Sequence, residues 1–453
     1  MTVNQSSSSP KRALGRKRVA SLAGCAVTVL LTVTACGGGT AGKTTKDGFA
    51  QAPQKDGALT VWVDATRMDA AKLYQELHPE VKLDIVSYDG NANGSNYLQT
   101  KVQLFNRTGK GWPDVVFSSQ NNETSWAVDA GFAAPLNKGL VPESTLGKFA
   151  KGANDVCTVD GTVYCLRNDL SQAVLWYNAP LMKKFGYTVP TTWEEYQKLG
   201  TKVAKEHPGY LVGDAGDSFT PEIYLWASKC GANHITGPKS VSVNTTSEAC
   251  TKMAKLLDVL IKNKSMSISG VFSTDFGKNK ADKVLLMPGP AWFGGAVFKD
   301  TLKVPGKQIG VAPMPQWQGD GAPSTGNVGG GTWLLSQHST HLKAATDFLT
   351  WVTTDNAYQA EKAPGFPAYA PAAEAWLKGQ DASGYFASDL SALSAASSQV
   401  WPEWGSGQFS QEAIWASTVK PGLTQGKSIV SMLPAWQDSI VKHAKSNGYK
   451  VEQ

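Results

Sequence analysis

Residues 175–197 read LWYNAPLMKKFGYTVPTTWEEYQ, and their order predicts a strand, a short helix, a turn and a second helix. The first three residues are apolar and aromatic, which is typical of a strand, and Asn178 can cap the helix that follows. Gly186 can end that helix, because glycine adopts the left-handed conformation at no steric cost. Thr192 and Glu195 have the spacing of a capping box, so we expect the second helix to begin here.

This segment resembles a stretch of the family-1 extracellular solute-binding proteins, the sugar-capturing receptors of ABC importers, a group that includes the maltose-binding protein. Two further blocks extend the resemblance: a strand that leads to Trp292 in residues 285–292, and a glycine-rich turn that leads to Trp333 in residues 329–333. The residues at fixed offsets in the first segment are Tyr177, Asn178, Leu181, Gly186, Pro190, Thr192, Trp193 and Glu195.

The rest of the chain predicts an α/β fold. Strand patterns in residues 59–63, 81–85 and 114–117 alternate with apolar residues at helical spacing. A β-α-β-α-β order predicts a mostly parallel sheet covered by helices. About 395 of the 453 residues follow the N-terminal signal and tether that are described below, too many for one hydrophobic core of ordinary size, which favours two lobes.

The resemblance implies the two-lobe periplasmic-binding-protein fold of type II, in which each lobe is a mostly parallel sheet flanked by helices and several strands form the hinge. The expected N-terminal lobe is 58–170 plus 325–358, and the expected C-terminal lobe is 171–324 plus 359–453, with crossings between the lobes near 168–174, 316–326 and 355–365.

Residues 1–35 have the pattern of an export signal, with a basic block before an apolar run that is short for a membrane span. The run ends at Cys36, in a context that resembles the lipobox of bacterial lipoproteins. We therefore expect Cys36 to carry a lipid anchor. Cys25 fits the lipobox letters better, but cleavage there would leave only a few apolar residues behind the basic block. Residues 36–57 contain little to bury and predict a flexible tether.

The signal carries much of the net charge. Five of the 43 basic residues and none of the 37 acidic residues precede Cys36, so the remainder is close to neutral although the whole chain carries +6. Bulk charge therefore gives no support for a nucleic-acid partner. We expect a monomer on the outer face of the bacterial cell membrane, attached by its lipid anchor only.

Four of the six cysteines remain once Cys25 and Cys36 are set aside, and an even number in an exported protein favours disulfides. An Asp-Gly turn between short β-prone runs predicts a hairpin that brings two of them together. The predicted pairs are Cys157 with Cys165 and Cys230 with Cys250. The alternative is four free or metal-binding thiols, but no C-x-x-C occurs and the histidines are scattered, so we predict neither a metal nor a cofactor.

Sugars present apolar C–H faces and hydroxyl edges, so a sugar site needs aromatic platforms and polar side chains aimed at hydroxyls. The chain has 15 Trp, several of them at strand ends or in loops. Trp292 and Trp333 are the foremost stacking candidates because each lies beside a glycine-rich turn, which in the case of Trp333 includes Gly330. Trp404 and Trp62 are further candidates; for all of them the alternative is packing in the core or the hinge.

Polar candidates come from loops at the carboxyl ends of predicted strands, where parallel sheets bind ligands. The family commonly uses the loop after its first strand for hydroxyl contacts. A loop carboxylate is more often solvated or caps a helix, so each position is a weak prediction alone. The polar candidates are Asp64, Arg67, Gln120, Asn121, Glu123 and Asp169.

The resemblance implies that the protein captures a sugar or oligosaccharide between its lobes and delivers it to the permease subunits of an ABC transporter. One alternative is a non-sugar solute such as a polyamine or an organophosphate; a polyamine would require clustered carboxylates. A glycoside-active enzyme is a weaker alternative, because it needs two carboxylates at the scissile bond and no catalytic motif pairs them. A sensor subunit that signals without import is a third alternative.

Overall fold

The strands of this computed structural model, which describes residues 48–452, are short and spread over the whole described chain. In chain order they are β1 (Leu59–Val63), β2 (Leu83–Ser87), β3 (Val115–Ser118), β4 (Thr158–Val159), β5 (Thr162–Val163), β6 (Cys165–Arg167), β7 (Asp169–Leu170), β8 (Ala173–Asn178), β9 (Gly213–Asp214), β10 (His234–Gly237), β11 (Ser240–Ser242), β12 (Met266–Ser267), β13 (Leu286–Pro290), β14 (Ile309–Ala312), β15 (Thr332–Leu335), β16 (Phe366–Pro367) and β17 (Lys450–Glu452).

Helices surround these strands. The α-helices are α1 (Met68–Leu77), α2 (Tyr97–Thr108), α3 (Glu123–Asp129), α4 (Glu143–Leu146), α5 (Ala179–Phe185), α6 (Trp193–Glu206), α7 (Glu248–Lys262), α8 (Thr274–Asn279), α9 (Leu342–Thr354), α10 (Asn356–Gln359), α11 (Ala370–Ser383), α12 (Ser391–Ser397), α13 (Gln411–Thr418), α14 (Lys420–Thr424) and α15 (Ile429–Ser446). Two π-helices cover Pro221–Leu225 and Phe293–Thr301, and 3₁₀ helices cover Ala92–Gly94, Leu136–Lys138, Asp155–Cys157 and Ala281–Lys283.

The segment 175–197 folds as predicted. The Asn178 side chain accepts a hydrogen bond from the Leu181 amide at 3.0 Å and so caps α5. Gly186 ends α5 with φ of +68°. Thr192 and Glu195 form both hydrogen bonds of the capping box at the start of α6. Local polar groups therefore set these helix ends, as expected for termini whose amides lack partners in the helix.

The first lobe contains a five-stranded sheet in the order β2-β1-β3-β15-β6. β1 runs parallel to β2 and β3, as the alternating strand and helix pattern predicts. β15 returns from the second lobe and is antiparallel to both β3 and β6. Apolar side chains of β1, β3 and β15 pack against α1 and α9 in one buried cluster.

The second lobe contains the antiparallel sheet β13-β8-β14, which differs from the expected mostly parallel sheet. β8 begins at the crossing between the lobes and runs away from it. β13 and β14 both run back towards the crossing, since Pro290 and Ala312 pair with residues in the first half of β8. The two-lobe fold is confirmed, but β8 alone among these three strands leaves the hinge, so its direction is opposite to its neighbours.

Three chain segments lie side by side between the lobes. β7 pairs with β16, and Gln172 forms a bridge with Asn327 next to them. The first segment coincides with the predicted crossing at 168–174. The second lies at about Thr325–Val328, because residues 316 and 317 belong to the second lobe, where Trp317 packs near Trp193. The exact division of the chain into lobes stays a prediction.

The described end of the predicted tether is attached to the first lobe. Phe49 is buried in its core. The Gln54 side chain accepts a hydrogen bond from the Leu342 amide at 2.6 Å, at the start of α9. The Lys55 amide also donates to the Thr340 carbonyl at 3.0 Å. The flexible tether therefore cannot extend to residue 57, since an apolar ring and paired backbone groups hold its last part.

Both predicted disulfides, Cys157–Cys165 and Cys230–Cys250, are present. The first closes the hairpin of β4 and β5, whose turn residues Asp160 and Gly161 both have positive φ. The predicted signal peptide and Cys36 lie outside the described residues. Between residues 48 and 452 no helix is both long and apolar enough to cross a bilayer. Within the same range no group of three or more His, Cys, Asp or Glu is arranged to hold a metal ion.

Candidate functional site

A narrow cavity lies between the two lobes, and we call it the cleft. The first lobe contributes residues 119–122, which follow β3, and the crossing contributes Gly329. The second lobe contributes the residues around the π-helix Pro221–Leu225, the loop 404–407 and the start of α13. The free volume inside it is about 20 Å³, which is room for about one water molecule. The lobes therefore lie close together in this conformation.

Two tryptophans form the aromatic wall of the cleft. Trp404, a predicted stacking residue, lies parallel to Trp226 with ring centroids 5.3 Å apart and an interplanar angle of 11°. Trp226 is fixed by a hydrogen bond from its indole nitrogen to the Trp401 carbonyl at 2.7 Å. Both rings are almost fully buried. Such a wall suits the apolar faces of sugar rings.

The polar wall of the cleft carries two glutamates. Glu412, near the start of α13, accepts long hydrogen bonds from Gln120 Nε2 and Ser218 Oγ, each at 3.4 Å. Burial raises the pKa of Glu412 to about 7, although the bonds from Gln120 and Ser218 oppose that shift. Burial, and then the negative charge of Glu412, raise the pKa of Glu222 well above its ordinary value. Both carboxyls therefore carry a strong tendency to stay protonated in the closed cleft.

Two amide side chains in the same wall have unused hydrogen-bonding atoms. Both Nε2 and Oε1 of Gln411 are buried without a partner among the described residues. Asn233 donates to the Gly405 carbonyl, while its Oδ1 has no partner in the same part of the chain. Buried amide groups in proteins are nearly always satisfied. These atoms are available to hydroxyl groups of a bound molecule.

The candidates Asn121 and Gly330 lie at or beside the cleft. Asn121 lines it, and its Oδ1 accepts a hydrogen bond from Arg167 Nη1. Gly330 follows the lining residue Gly329 and has φ of +90°. A Cβ at Gly330 would lie 2.3 Å from Arg167 Nη2, so only glycine fits there. The turn thus keeps Arg167 in place behind Asn121.

Asp64, Arg67 and Asp169 form a group of their own beside the hinge and do not line the cleft. Arg67 contacts Asp64 at 3.3 Å and Asp169 at 3.5 Å, and its guanidinium lies over the Phe117 ring at 4.2 Å. Although burial disfavours the charged form, the two carboxylates raise the pKa of Arg67. The three side chains bind each other, and their contact with a ligand stays a prediction.

Three candidates are buried in the first lobe instead of facing the cleft. Trp333 is 0% exposed, packs against Phe117 and Phe348, and donates to Asn168 Oδ1 at 2.9 Å. The prediction that Trp333 stacks on a ligand is therefore wrong for this structure, because β15 is a central strand of the sheet. The other two are Trp62, which packs in the aromatic cluster of Tyr88, Tyr97 and Phe105, and Glu123, which accepts two hydrogen bonds from Gln99.

Trp292 lies at the end of β13, close to the crossing. Its indole nitrogen donates to the Val328 carbonyl at 2.9 Å, and its ring is only partly buried. It stacks on Phe272, which is 52% exposed, with an angle of 14°. Trp292 does not line the cleft in this closed arrangement, so its stacking role stays a prediction.

Sequence reasoning missed most of the second-lobe wall, namely Glu222, Trp226, Asn233, Gln411 and Glu412. The loop Trp404-Gly405-Ser406-Gly407 shows the same signal that singled out Trp292, a tryptophan beside glycines. Glu412 follows the helix cap Ser410, so in sequence it is typical of an acidic first-turn residue. Nothing local distinguishes it from an ordinary helix start.

Comparisons with known proteins agree on the family. The family model described as bacterial extracellular solute-binding protein matches residues 52–359, well over half of the chain. The arabinooligosaccharide-binding protein of Halalkalibacterium halodurans is 22% identical over 62% of this chain, and the match covers 63% of that relative, less than two thirds of it. The lactose-binding protein of Rhizobium radiobacter is 25% identical over 65% of this chain and 69% of its own length.

Solved structures show the same fold. A binding protein of Bifidobacterium animalis subsp. lactis in complex with β-1,6-galactobiose superposes with a TM-score of 0.73 at 19% identity, over 87% of this chain and 99% of its own. The galacto-N-biose/lacto-N-biose I-binding protein of Bifidobacterium longum gives 0.72 at 18% identity, over 88% and 100%.

Proposed function

The chain belongs to the family of bacterial extracellular solute-binding proteins, and on that premise we propose that it captures a sugar or oligosaccharide in the cleft. It then delivers this sugar to the membrane permease of an ABC importer. The named relatives bind arabinooligosaccharides and lactose, which supports a carbohydrate ligand. The family consists of transport binding proteins, and the proposal contains no catalytic step.

The observation that carries the proposal is the composition of the cleft. The stacked rings of Trp226 and Trp404 offer an apolar surface, while Gln411 and Asn233 offer amide atoms without partners among the described residues. A sugar needs this combination, because its ring faces are apolar and each hydroxyl both donates and accepts. An apolar solute would leave the amides unsatisfied.

Capture requires the lobes to part and close again. A free volume of about 20 Å³ cannot hold a sugar ring, so the ligand enters only when the lobes separate. This motion takes place about the segments that cross between the lobes. They are the paired strands β7 and β16 and the two segments that the bridge between Gln172 and Asn327 joins. A ligand that contacts both lobes then favours a closed form, which the permease recognises.

The N-terminal region supplies the attachment in this proposal. Cys36 carries the lipid that holds the protein at the outer surface of the membrane. The protein acts as a monomer on its own permease subunits. Mass spectrometry of the membrane fraction tests the attachment: we expect a mature N-terminus at Cys36 with a diacylglycerol group, and a different N-terminus or no lipid would overturn it.

A thermal-shift screen of mono- and oligosaccharides tests the sugar. A ligand that binds only the folded state at 1,000 times its Kd adds about 4 kcal/mol of stability, enough for a clear rise of Tm. Small-angle scattering with the best ligand should then show a smaller radius of gyration. If no carbohydrate raises Tm, or if a tight one binds without compaction, the proposal fails.

A further inference from the structure

Carboxyl groups outnumber ammonium groups in and beside the cleft. Glu222 and Glu412 lie in its wall, and the negative charge of Asp217 also acts on Glu412. Lys420 is the cation that acts on Glu412 and Asp217. Asp214, which interacts with Asp217, adds a fourth carboxyl, so four carboxyls stand against this one ammonium group. Carboxylates removed from water need a compensating cation or a proton.

The hydrogen bonds of the two glutamates do not provide that compensation. Among the described residues, Glu412 receives only the two neutral donors at 3.4 Å, which is long for a bond to a carboxylate. Within the described residues, burial and the charge of Glu412 raise the pKa of Glu222, and no hydrogen bond or ion pair offsets them. The carboxyl oxygens are therefore free to accept strong, charge-assisted bonds from a ligand.

The unused amide groups and the two tryptophans line the same cavity as the glutamates. Gln411 is 5% exposed, and neither of its amide atoms has a partner between residues 48 and 452. It lies next to Glu412 at the start of α13 and lines the same cavity. The stacked pair of Trp226 and Trp404 adds aromatic faces, which attract cations as well as sugar C–H groups.

A neutral sugar would form hydrogen bonds with the amide groups of Gln411 and Asn233, but it would not compensate the charge of ionised glutamates. To bind it, the closed cleft must keep protons on its glutamates or bury uncompensated carboxylates. A protonated amine placed between them removes this cost, and the hydroxyls of the same molecule can pair with Gln411 and Asn233.

We propose that the ligand of this cleft is an amino sugar, whose protonated amine lies between Glu222 and Glu412. This inference rests on the proposed sugar-binding function and narrows it. The ammonium donates to both carboxylates, while the sugar ring lies against the tryptophan wall.

Matched sugar pairs test the inference by isothermal titration of the full chain at pH 7 and low salt. Each pair differs by one amine in place of one hydroxyl on each ring: glucosamine and glucose, galactosamine and galactose, and the β-1,4-linked glucosamine dimer and cellobiose. We expect an amine member to bind at least tenfold more tightly than its neutral partner. We expect Glu222→Gln and Glu412→Gln each to reduce that ratio towards one.

The control is Asp320→Asn, which removes a carboxylate of the second lobe that pairs with Lys229 at 3.2 Å and does not line the cleft. It should leave the ratio unchanged. If a neutral sugar binds as tightly as its amine partner, or if the glutamine variants keep the preference, the inference is wrong while the proposed function stands. If neither member of any pair binds and the wider carbohydrate screen is also negative, both are wrong. Should a glutamine variant fail to fold, the pairs measured on the unaltered protein still decide.

Discussion

Gln408 of the second lobe donates a hydrogen bond from Nε2 to Oδ2 of Asp129 in the first lobe at 2.7 Å. Lys239, also in the second lobe, contacts the same oxygen at 3.1 Å. Partial burial disfavours the charged form of Asp129, but Gln408 and Lys239 outweigh it and lower the pKa of this carboxyl. The contact thus joins the two lobes at the rim and persists through neutral pH.

We predict that Asp129→Asn weakens ligand binding by a factor of about 1.4 to 5, because an exposed ion pair contributes about 0.2–1 kcal/mol to the closed form. The stabilisation by this ion pair is present above the ordinary pKa of aspartate, and it is lost as pH falls through the lowered pKa of Asp129. Titration calorimetry with the ligand from the screen measures it. Asp347→Asn, which breaks an ion pair with Lys343 inside α9, should leave affinity unchanged; an equal loss there would contradict the role of Asp129.

Trp404→Leu should lower sugar affinity about tenfold, because it keeps an apolar side chain in place but removes the aromatic face. The matched control is Trp351→Leu on α9, where the ring packs against Tyr74 at 5.1 Å in the first lobe. Unfolding curves check that both variants are folded. Unchanged affinity in folded Trp404→Leu would show that the tryptophan wall is not a sugar platform.

Gly330→Ala should cost more stability than Gly319→Ala, although both glycines have φ near +90°. Nothing lies within 4 Å of a Cβ at Gly319. The stability lost in Gly319→Ala therefore reflects the backbone conformation alone and is about 1 kcal/mol. At Gly330 the Cβ would meet Arg167 Nη2 and the Asp169 carbonyl at 2.3 and 2.5 Å, which adds about 1–3 kcal/mol. Urea denaturation measures both; equal losses would show that the hinge absorbs the methyl group freely.

Glu123 should make folding depend on pH. Burial raises its pKa to about 7, against the hydrogen bonds from Asn91 and Gln99. Because the folded value exceeds the unfolded one, its stabilisation is complete below the unfolded pKa and is lost as pH rises through about 7. We therefore expect the stability of Glu123→Gln relative to the unaltered protein to be about 3 kcal/mol greater at pH 8 than at pH 4. Denaturant midpoints at the two pH values test this, and an unchanged difference would refute it.

The two disulfides should differ in their effect on stability. Cys230–Cys250 closes a separation of 20 residues and Cys157–Cys165 one of 8. If the main effect is loss of entropy in the unfolded chain, replacing the longer pair with alanines costs about 3 kcal/mol and the shorter pair about 0.5–1 kcal/mol less. Each double variant is the control for the other in guanidinium unfolding. The reverse order would indicate that native packing of the cysteines dominates.

The sequence predicted local features well where one short segment contains the whole cause. The caps Asn178 and Thr192 and the hairpin at Asp160 depend on neighbours within a few residues, and the structure has all three. Phe49 shows the limit of such reasoning. Its segment has the composition of a tether, yet the ring is buried, because its partners come from distant parts of the chain.

The tryptophans show the same limit in the site. Trp333 follows a glycine-rich turn, and Trp404 precedes glycines in a loop. Trp333 nevertheless lies inside a sheet, whereas Trp404 lies in the wall of the cleft. A tryptophan beside a flexible turn is a local pattern. Whether its ring meets a ligand or a core depends on which strand lies next to it.

The sequence by itself determined the family, the alternating strands and helices of the first lobe, the helix caps and the cysteine pairs. These follow from side-chain type and spacing over short distances. Only the tertiary structure decided that Gln120, Glu222 and Glu412 share one cavity, because three segments far apart along the chain meet there when the lobes close. Their charges and unused hydrogen-bonding atoms become important in that cavity, because an unpaired carboxylate or amide is costly only where it is buried.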